Sequence, residues 1–302
     1  MAELEEYMKQ EQTKLSVVIL NWNTRKLLKQ CLKSLISNLK SQISNVEIIV
    51  VDNASHDGSQ QMIRSEFPKV KIIQNENNLG YAKGNNVGIA VAVGKYVMLL
   101  NTDIIIKKGA VKKLVEFLDK NQEIAIVGPK ILNTNGSPQS SCGRFPSLIV
   151  SLVMLFKEHF GGSDLVRWSP KSSQYVDWLV GAAFIARKEV FEKIGGFDEK
   201  IFMYMEEVEW FYRSKLAGFK TYFLIKPEVV HLERGSSKSG KKDPILNIYR
   251  GLIYFYRKHK PWWQLVILKL MLKIKALLAI LIGYLKNDNY LKETYGEAYK
   301  IS

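Results

Sequence analysis

Short apolar runs that stop at a polar residue alternate with helical patterns through the first 135 residues of this chain. The runs are LSVVIL (15–20), VEIIVV (46–51), VKIIQ (70–74), KYVMLL (95–100) and EIAIVG (123–128). Most are continuous and rich in β-branched residues, which is typical of strands buried on both faces in a parallel sheet. Between them, apolar residues recur at helical spacing, as in 27–39 and 111–118. The pattern predicts an α/β fold, with a doubly wound and mostly parallel sheet.

Polar residues follow several of these runs directly. Asn21 follows the first strand, Asp52 the second, and Asn101-Thr102-Asp103 the fourth. Right-handed crossovers bring the carboxyl ends of such strands into one crevice, where doubly wound sheets bind nucleotides. The spacing therefore predicts a nucleotide site lined by these side chains.

The regular alternation of strand and helix patterns ends near residue 135. We divide it into a polar lead-in (1–13), a catalytic domain (14–240) and a basic, apolar helical extension (241–302). The catalytic domain is expected to have a nucleotide-binding half (14–135) and an acceptor half (136–240). The lead-in lacks a secretory signal, and Cys31 and Cys142 are far apart, so a reducing, cytoplasmic setting fits best.

The formal charge of +15 is concentrated in one region. Residues 234–275 carry eleven Lys and Arg against one acid, Asp243, which accounts for +10 of the total. Such asymmetry indicates an anionic partner, either a nucleic acid or a membrane surface, or else a merely solvated face.

Residues 262–285 raise the question of membrane contact. Their fourteen Leu, Ile, Val and Met residues favour insertion by about 4 to 8 kcal/mol, and the three lysines oppose it by about 8 kcal/mol. The balance argues against spanning. It favours a helix that lies in the membrane interface. The alternative is a helix packed on the body of the protein or on a second subunit, and the latter would give a homodimer.

Seven motifs occur in a characteristic order: VVILNWN, VVDNASHDGS, NNLGYAKGNNVGI, MLLNTD, WLVGAAFIARKEVFEKIGGFDE, FMYMEEVEWFYR and HLERGSS. In this order they resemble family 2 glycosyltransferases with the GT-A fold, of the rhamnosyltransferase-like branch that builds bacterial surface polysaccharides. The resemblance covers roughly residues 14–258. It implies a transferase that uses a nucleoside-diphosphate sugar.

The resemblance implies nucleotide-binding roles for six residues: Asn21, Asp52, Lys83, Asn86, Asn101 and Asp103. Asp52 would accept a hydrogen bond from the base, or alternatively cap the turn that follows it. Asn101-Thr102-Asp103 stands where the family has its D-x-D signature. Asp103 would meet a Mg²⁺ or Mn²⁺ ion, with His231 as a second protein ligand.

The resemblance also assigns the acceptor side. Glu206 and Glu207 occupy the place of the family's Glu-Asp pair, and Glu207 is expected to be the general base. Trp178 and Gly181 lie in the segment that resembles the acceptor wall, although core packing explains Trp178 equally well.

The sequence thus predicts an inverting transfer of L-rhamnose from dTDP-rhamnose, or of a hexose from a UDP-sugar, to a glycan or lipid-linked hydroxyl. We expect the enzyme to be cytoplasmic and peripheral, held by the extension on the inner face of the cell membrane. Two alternatives are a sugar nucleotidyltransferase and a basic nucleic-acid-binding protein. A nucleotidyltransferase would have a glycine-rich loop after the first strand, and this chain has none at that position. The chain also contains no recognised nucleic-acid-binding motif. We therefore expect no nucleic-acid partner.

Overall fold

The computed structural model of the chain describes residues 13–39, 43, 45–160, 166–232 and 242–302. The predicted lead-in lies outside this part of the chain except for Thr13, and so does the predicted boundary at residue 240. The extended elements in the described residues are β1 (Leu15–Asn21), β2 (Val46–Asp52), β3 (Lys71–Gln74), β4 (Tyr96–Asn101), β5 (Ile104–Ile106), β6 (Ile126–Leu132), β7 (Cys142–Gly143), β8 (Arg167–Trp168), β9 (Gln174–Tyr175), β10 (Trp178–Leu179), β11 (Ala183–Arg187) and β12 (Thr221–His231).

Helices connect and cover these strands. They are α1 (Arg25–Leu39), α2 (Ser59–Glu66), α3 (Gly80–Val91), α4 (Ala110–Lys120), α5 (Leu148–Phe160), α6 (Lys188–Ile194), α7 (Glu206–Leu216), α8 (Lys242–His259), α9 (Trp262–Leu285) and α10 (Asn289–Ile301).

The main sheet has the order β3-β2-β1-β4-β11-β6-β12-β5, and β9 pairs with β12. Its first four strands are parallel, and so are β6 and β12. β11 runs antiparallel between β4 and β6, and β5 runs antiparallel along β12. Parallel pairings join most of the paired residues, so the predicted mostly parallel α/β sheet is confirmed. Because β12 returns to this sheet, both predicted halves of the catalytic domain share it.

Strand residues alternate between two apolar cores, one on each face of the sheet. Val17 and Met98 face a core with α1, α2 and α4, whereas Val18 and Leu99 face a core with α3, α6 and α7. The second core also receives Phe255 of α8, whose side chain is fully buried. The first helix of the C-terminal extension is therefore part of the catalytic body.

Two element boundaries differ from the sequence prediction. α3 begins at Gly80 rather than near residue 85, because the Asn78 side chain accepts a hydrogen bond from the Gly80 N–H at 3.0 Å. β6 continues to Leu132 instead of ending at Gly128. At Gly128 a Cβ would lie 2.8 Å from the Leu179 side chain, so a larger residue at this position would have to displace that leucine.

Candidate active site

A cleft of about 260 Å³ opens at the carboxyl ends of β1 and β4. It collects side chains from distant parts of the chain, including Trp22, Asn101, Gly181, Glu206, Glu207 and His231. A larger hollow of about 490 Å³ lies elsewhere, beside Asp177 and Lys215, and contains no predicted site residue. The convergence of polar groups, rather than size, identifies the cleft as the candidate site.

A buried network organises the carboxyl ends of β1 and β2. Asn21 lies beside Asp52 in the parallel register and donates to its Oδ2 at 2.6 Å. Asp52 Oδ1 accepts from the Ser55 N–H at 2.9 Å and from Gln60 Nε2 at 2.8 Å. Asn21 and Asp52 are both fully buried. In this structure Asp52 holds the turn after β2, which is the alternative to the predicted contact with a nucleotide base.

Asp103 and His231 meet because β5 and β12 pair antiparallel, with His231 opposite Ile104. The distance from His231 Nε2 to Asp103 Oδ1 is 3.4 Å. His231 Nδ1 lies 2.8 Å from Gln139 Oε1, and a neutral ring that donates from Nδ1 to this oxygen carries no proton on Nε2. Nε2 then presents a lone pair beside a buried carboxylate oxygen that has no hydrogen-bond partner.

These two groups suit a divalent cation. A carboxylate oxygen and a neutral imidazole nitrogen are metal ligands, and the orphaned Asp103 Oδ1 lacks the proton donor that a purely structural aspartate would have. The described residues contain no cluster of three or more His, Cys, Asp or Glu side chains placed to hold a metal ion. A cation here would need further ligands from water or substrate phosphate, as Mg²⁺ sites commonly have.

Glu206 and Glu207 begin α7 directly after a strained turn. Tyr204 and Met205 have φ values of 67° and 76°, in the left-handed region that side chains other than glycine seldom adopt. Gly251 of α8 packs against this turn, and a Cβ there would lie 2.9 Å from the Met205 Cβ. The turn directs both glutamates into the cleft, where one oxygen of each has no hydrogen-bond partner among the described residues.

Burial sets the acidity of this pair. It raises the pKa of Glu206 well above the ordinary value, and the negative charge of Glu207 raises it further. Burial also raises the pKa of Glu207, but the nearby Arg167 guanidinium counteracts this effect. The pKa values of both carboxyl groups are therefore raised by burial, and the neighbouring charge of Glu207 adds to the rise at Glu206.

Comparison with known proteins identifies the family. The model of the glycosyl transferase family 2 matches residues 16–208, which include the cleft's strand ends and both glutamates. The chain belongs to glycosyl transferase family 2. It is a glycosyltransferase, which uses a nucleotide-sugar donor and an acceptor, and the two alternative functions find no support.

Two curated relatives resemble this chain in sequence, and a solved structure resembles it in fold. The glycosyltransferase is 27% identical over 238 residues to an N-acetylglucosaminyl-diphospho-decaprenol L-rhamnosyltransferase of Mycobacterium tuberculosis, covering 72% of this chain and 77% of the relative. It is 23% identical to a rhamnosyltransferase of Escherichia coli, covering 69% and 81%. The crystal structure of residues 1–349 of Staphylococcus aureus TarS with UDP-GlcNAc superposes with a TM-score of 0.61 at 20% identity, covering 95% of this chain and 79% of that one. The GT-A fold is thereby confirmed.

Six predicted site residues do not line the cleft of the glycosyltransferase: Asn21, Asp52 and Asp103, which are buried next to residues that line it, and Lys83, Asn86 and Trp178. Lys83 points towards Glu199 at 3.8 Å, and Asn86 donates to the Phe197 carbonyl at 2.9 Å. Trp178 is buried in the small sheet β10-β7-β8 and donates to the Arg144 carbonyl at 2.9 Å. For Trp178 the structure supports core packing rather than an acceptor wall.

Other cleft residues escaped the sequence analysis. Tyr81 points its hydroxyl at Asn101 Oδ1 (3.1 Å) and at the Gly181 carbonyl (2.8 Å), so it ties the two sides of the cleft together. Arg167 reaches the cleft from β8, a two-residue strand without a periodic signal. Trp22 is 42% exposed, and its place directly after Asn21 was the one sequence signal that could have singled it out.

Proposed function

We propose that this chain is an inverting glycosyltransferase whose general base is Glu207 and whose donor diphosphate binds at Asp103 and His231. The observation that carries the proposal is a set of three buried carboxylate oxygens without hydrogen-bond partners, two of them in the cleft and the third beside its lining residue His231. They belong to Asp103, Glu206 and Glu207. Leaving such oxygens unpaired is costly unless a substrate or an ion satisfies them.

The proposed chemistry is a single displacement. The acceptor hydroxyl attacks C1 of the donor sugar while Glu207 removes its proton, and the bond from C1 to the diphosphate oxygen breaks on the opposite face. A raised pKa makes Glu207 a stronger base than an exposed glutamate. Glu206 keeps its proton and can donate a hydrogen bond to a sugar oxygen.

Mg²⁺ or Mn²⁺ is the proposed cofactor, because members with the GT-A fold commonly use a divalent cation. Asp103 and His231 would hold the ion, which would neutralise charge on the leaving diphosphate. Asn101 and the exposed indole of Trp22 border the space available to the nucleoside, and an indole face can stack on a base.

For the substrates we propose dTDP-L-rhamnose or a UDP-hexose as donor and a lipid-linked glycan as acceptor. Two of the relatives described above are named as rhamnosyltransferases, and one of those names includes a diphospho-lipid acceptor. The resemblance of the motifs points to the same branch of the family.

We further propose that the enzyme acts on the inner face of the cell membrane. In the described residues no helix combines the length and apolarity needed to cross a bilayer. α9 nevertheless exposes apolar residues at helical spacing, which we call the α9 stripe: Trp263, Val266, Ile267, Leu270, Ile274, Leu277, Leu278, Leu281, Tyr284 and Leu285. Such a stripe suits the membrane interface, and the other occupant to be tested is a second copy of the chain.

Donor binding is tested by thermal unfolding with UDP-, dTDP-, GDP- and CMP-linked sugars, each with and without Mn²⁺. A bound donor raises the melting temperature by mass action, and we expect the rise to need Mn²⁺. The stabilising donor is then incubated with a diphospho-lipid glycan, and NMR of the product reports the anomeric configuration. Failure of every donor to stabilise the protein, or a product with retained configuration, would refute the proposed function.

A further inference from the structure

A second cavity, of about 270 Å³, adjoins the candidate active site. Its walls come from α5, β8, the turn before α7, α8, α9 and α10, and most of the side chains are apolar, such as Leu155, Ile245 and Ile248. We call it the helical cavity. Arg167 and Tyr204 line both this cavity and the catalytic cleft, so the two spaces share a wall.

The helical cavity contains a buried lysine. Lys275 of α9 is only 8% exposed, although its neighbours Ile274 and Leu277 on the same helix are 44% and 51% exposed. Its Nζ lies 5.4 Å from the centre of the Phe156 ring. Among the described residues no carboxylate forms an ion pair with it. A buried ammonium group without a counter-charge is unfavourable, so an anion in the cavity would stabilise it.

Arg167 supplies a second cation at the shared wall. Its guanidinium stacks over the Trp178 ring at 5.0 Å. Its charge also acts on Glu206 and Glu207 across the shared wall, without forming a direct ion pair among the described residues. The two cations therefore stand at one cavity whose remaining walls are largely apolar. An amphiphilic anion matches both properties.

We propose that the helical cavity binds the phosphate or diphosphate group of a lipid-linked acceptor, with Lys275 and Arg167 as its counter-charges and the apolar walls around the first part of the lipid chain. This inference rests on the proposed function, since it places the acceptor. The residue directly before Glu206, Met205, lines the helical cavity. A sugar attached to a diphosphate held there would extend past the shared wall towards Glu207.

The test uses the full-length protein and farnesyl diphosphate, a short diphospho-lipid, with binding measured by calorimetry. We expect Lys275→Met to weaken binding at least tenfold, because it removes the cation but keeps much of the side chain's bulk. Lys269→Met is the matched control, since Lys269 lies on the same helix outside the cavity, and it should bind like the wild type. Farnesol and inorganic pyrophosphate should each bind at least tenfold more weakly than farnesyl diphosphate.

Stability provides a second readout. Removing an uncompensated buried charge should leave the melting temperature of Lys275→Met equal to or above that of the wild type, whereas loss of a structural contact would lower it. Binding of a nucleotide-sugar donor should be unchanged in this variant, so failure of this proposal is distinguishable from failure of the proposed function. Equal binding of farnesyl diphosphate by wild type and Lys275→Met, no binding by either, or equal binding of pyrophosphate and farnesyl diphosphate would overturn it.

Discussion

Glu206 and Glu207 are neighbours in sequence, but their surroundings differ. Glu206 is 5% exposed and Glu207 is more accessible at the cleft surface. Burial raises the pKa of both carboxyl groups and the Arg167 charge counteracts the rise at both, but only at Glu206 does the charge of its neighbour, Glu207, raise the pKa further. Two carboxyl groups with separated pKa values can serve as one acid and one base.

The first prediction concerns this division of roles. Glu207→Gln keeps the shape of the side chain but cannot accept a proton, so turnover should fall by about 10² or more. Nucleotide affinity, measured by calorimetry, should change little because Glu207 is not proposed to touch the nucleotide. Glu206→Gln is the control and should be milder, since Glu206 is expected to be protonated already. An inactive Glu206→Gln beside an active Glu207→Gln would move the base to Glu206.

A second prediction concerns Asp103 and His231. Asp103→Ala should abolish both transfer and the Mn²⁺-dependent part of the stabilisation by nucleotide, because it removes the only carboxylate proposed to bind the ion. His231→Ala should weaken both effects strongly. His56→Ala, at an exposed histidine, is the matched control and should leave both unchanged. Full activity in EDTA would contradict the proposed metal site.

At the scale of secondary-structure elements, the position of both glutamates depends on the contact between α8 and the turn before α7. Gly251 leaves the room that the Tyr204-Met205 turn occupies. Backbone in the left-handed region is maintained only when the surrounding packing fixes it. A helix that is distant in sequence therefore determines where the proposed base points.

The third prediction follows from this contact. Gly251→Ala places a methyl group 2.9 Å from the Met205 Cβ and 3.1 Å from the Tyr204 carbonyl oxygen, so the turn must shift. We expect turnover to fall at least tenfold with little change in donor affinity, measured by steady-state kinetics and calorimetry. Gly296→Ala in α10, where the added methyl meets nothing within 4 Å, should be active and as stable as the wild type. Equal activity of the two variants would show that the turn does not position the base.

α7 and α8 are also joined by ionic contacts around Glu209, which is fully buried. Its carboxylate accepts hydrogen bonds from Arg213 and from Lys258, and Lys258 also donates to Asp198 Oδ2 at 2.6 Å. Burial by itself would raise the pKa of Asp198, but the bonds from Lys258 and Tyr254 outweigh it and lower the value from 3.8 to about 2. The pKa of Glu209 is lowered in the same way, with the His259 and Lys258 hydrogen bonds outweighing burial.

The fourth prediction is that Lys258→Met destabilises the protein in a pH-dependent manner. At neutral pH we expect a loss of about 2 kcal/mol in the free energy of unfolding, the scale of a charged hydrogen bond. Because both carboxyl pKa values are lowered in the folded state, their contribution is present above the ordinary values and is lost as pH falls towards about 2. The difference between wild type and variant in urea titrations should therefore shrink from pH 7 to pH 3. Arg257→Met, at an exposed residue, is the control, and a difference independent of pH would contradict the mechanism.

For the whole molecule, the C-terminal helices have two distinct faces. Leu268 and Leu272 of α9 are fully buried in a core that also contains residues of the catalytic domain, while the α9 stripe faces outward with Trp263 and Leu285 46% and 79% exposed. The sequence alternatives of a packed helix and an interfacial helix are thus compatible, since each describes one face. The proposed lipid site opens among the same helices.

The fifth prediction addresses the outward face. Leu270→Glu combined with Leu277→Glu should reduce binding to anionic vesicles at least tenfold, because charged groups replace apolar ones at the proposed interface. Leu216→Glu, at a residue 68% exposed on α7, should bind as the wild type does. Binding by the wild type should weaken with salt, as expected for lysines near an anionic surface. If vesicle binding is unaffected but a wild-type dimer becomes monomeric, the stripe is instead an interface between copies.

The sequence by itself determined the sheet, the strands that build its parallel half and the chain order of the acidic residues at the cleft. The strands follow from local periodicity, which reports whether each face of a strand or helix is buried, whereas the acidic residues were identified from the motifs that resemble the family. The sequence also placed Asn101, Asp103, Gly181, Glu206, Glu207 and His231 in motifs that the fold brings to one crevice. Helix starts were less predictable, as α3 shows, since a side chain such as Asn78 can begin a helix outside the periodic pattern.

Only the tertiary structure decided which polar residues meet. Asp103 reaches His231 because β5 pairs with β12, and Arg167 reaches the glutamates from a strand of two residues. Asp52 and Trp178 are turned into the protein by partners that are distant in sequence, Asn21 and Arg144. Periodicity records whether a residue is buried but not against what, because the partner depends on strand order and on which helices close over the sheet. Lys275 is likewise buried because of the helices that pack around it, which the pattern of its own lysine-rich helix does not show.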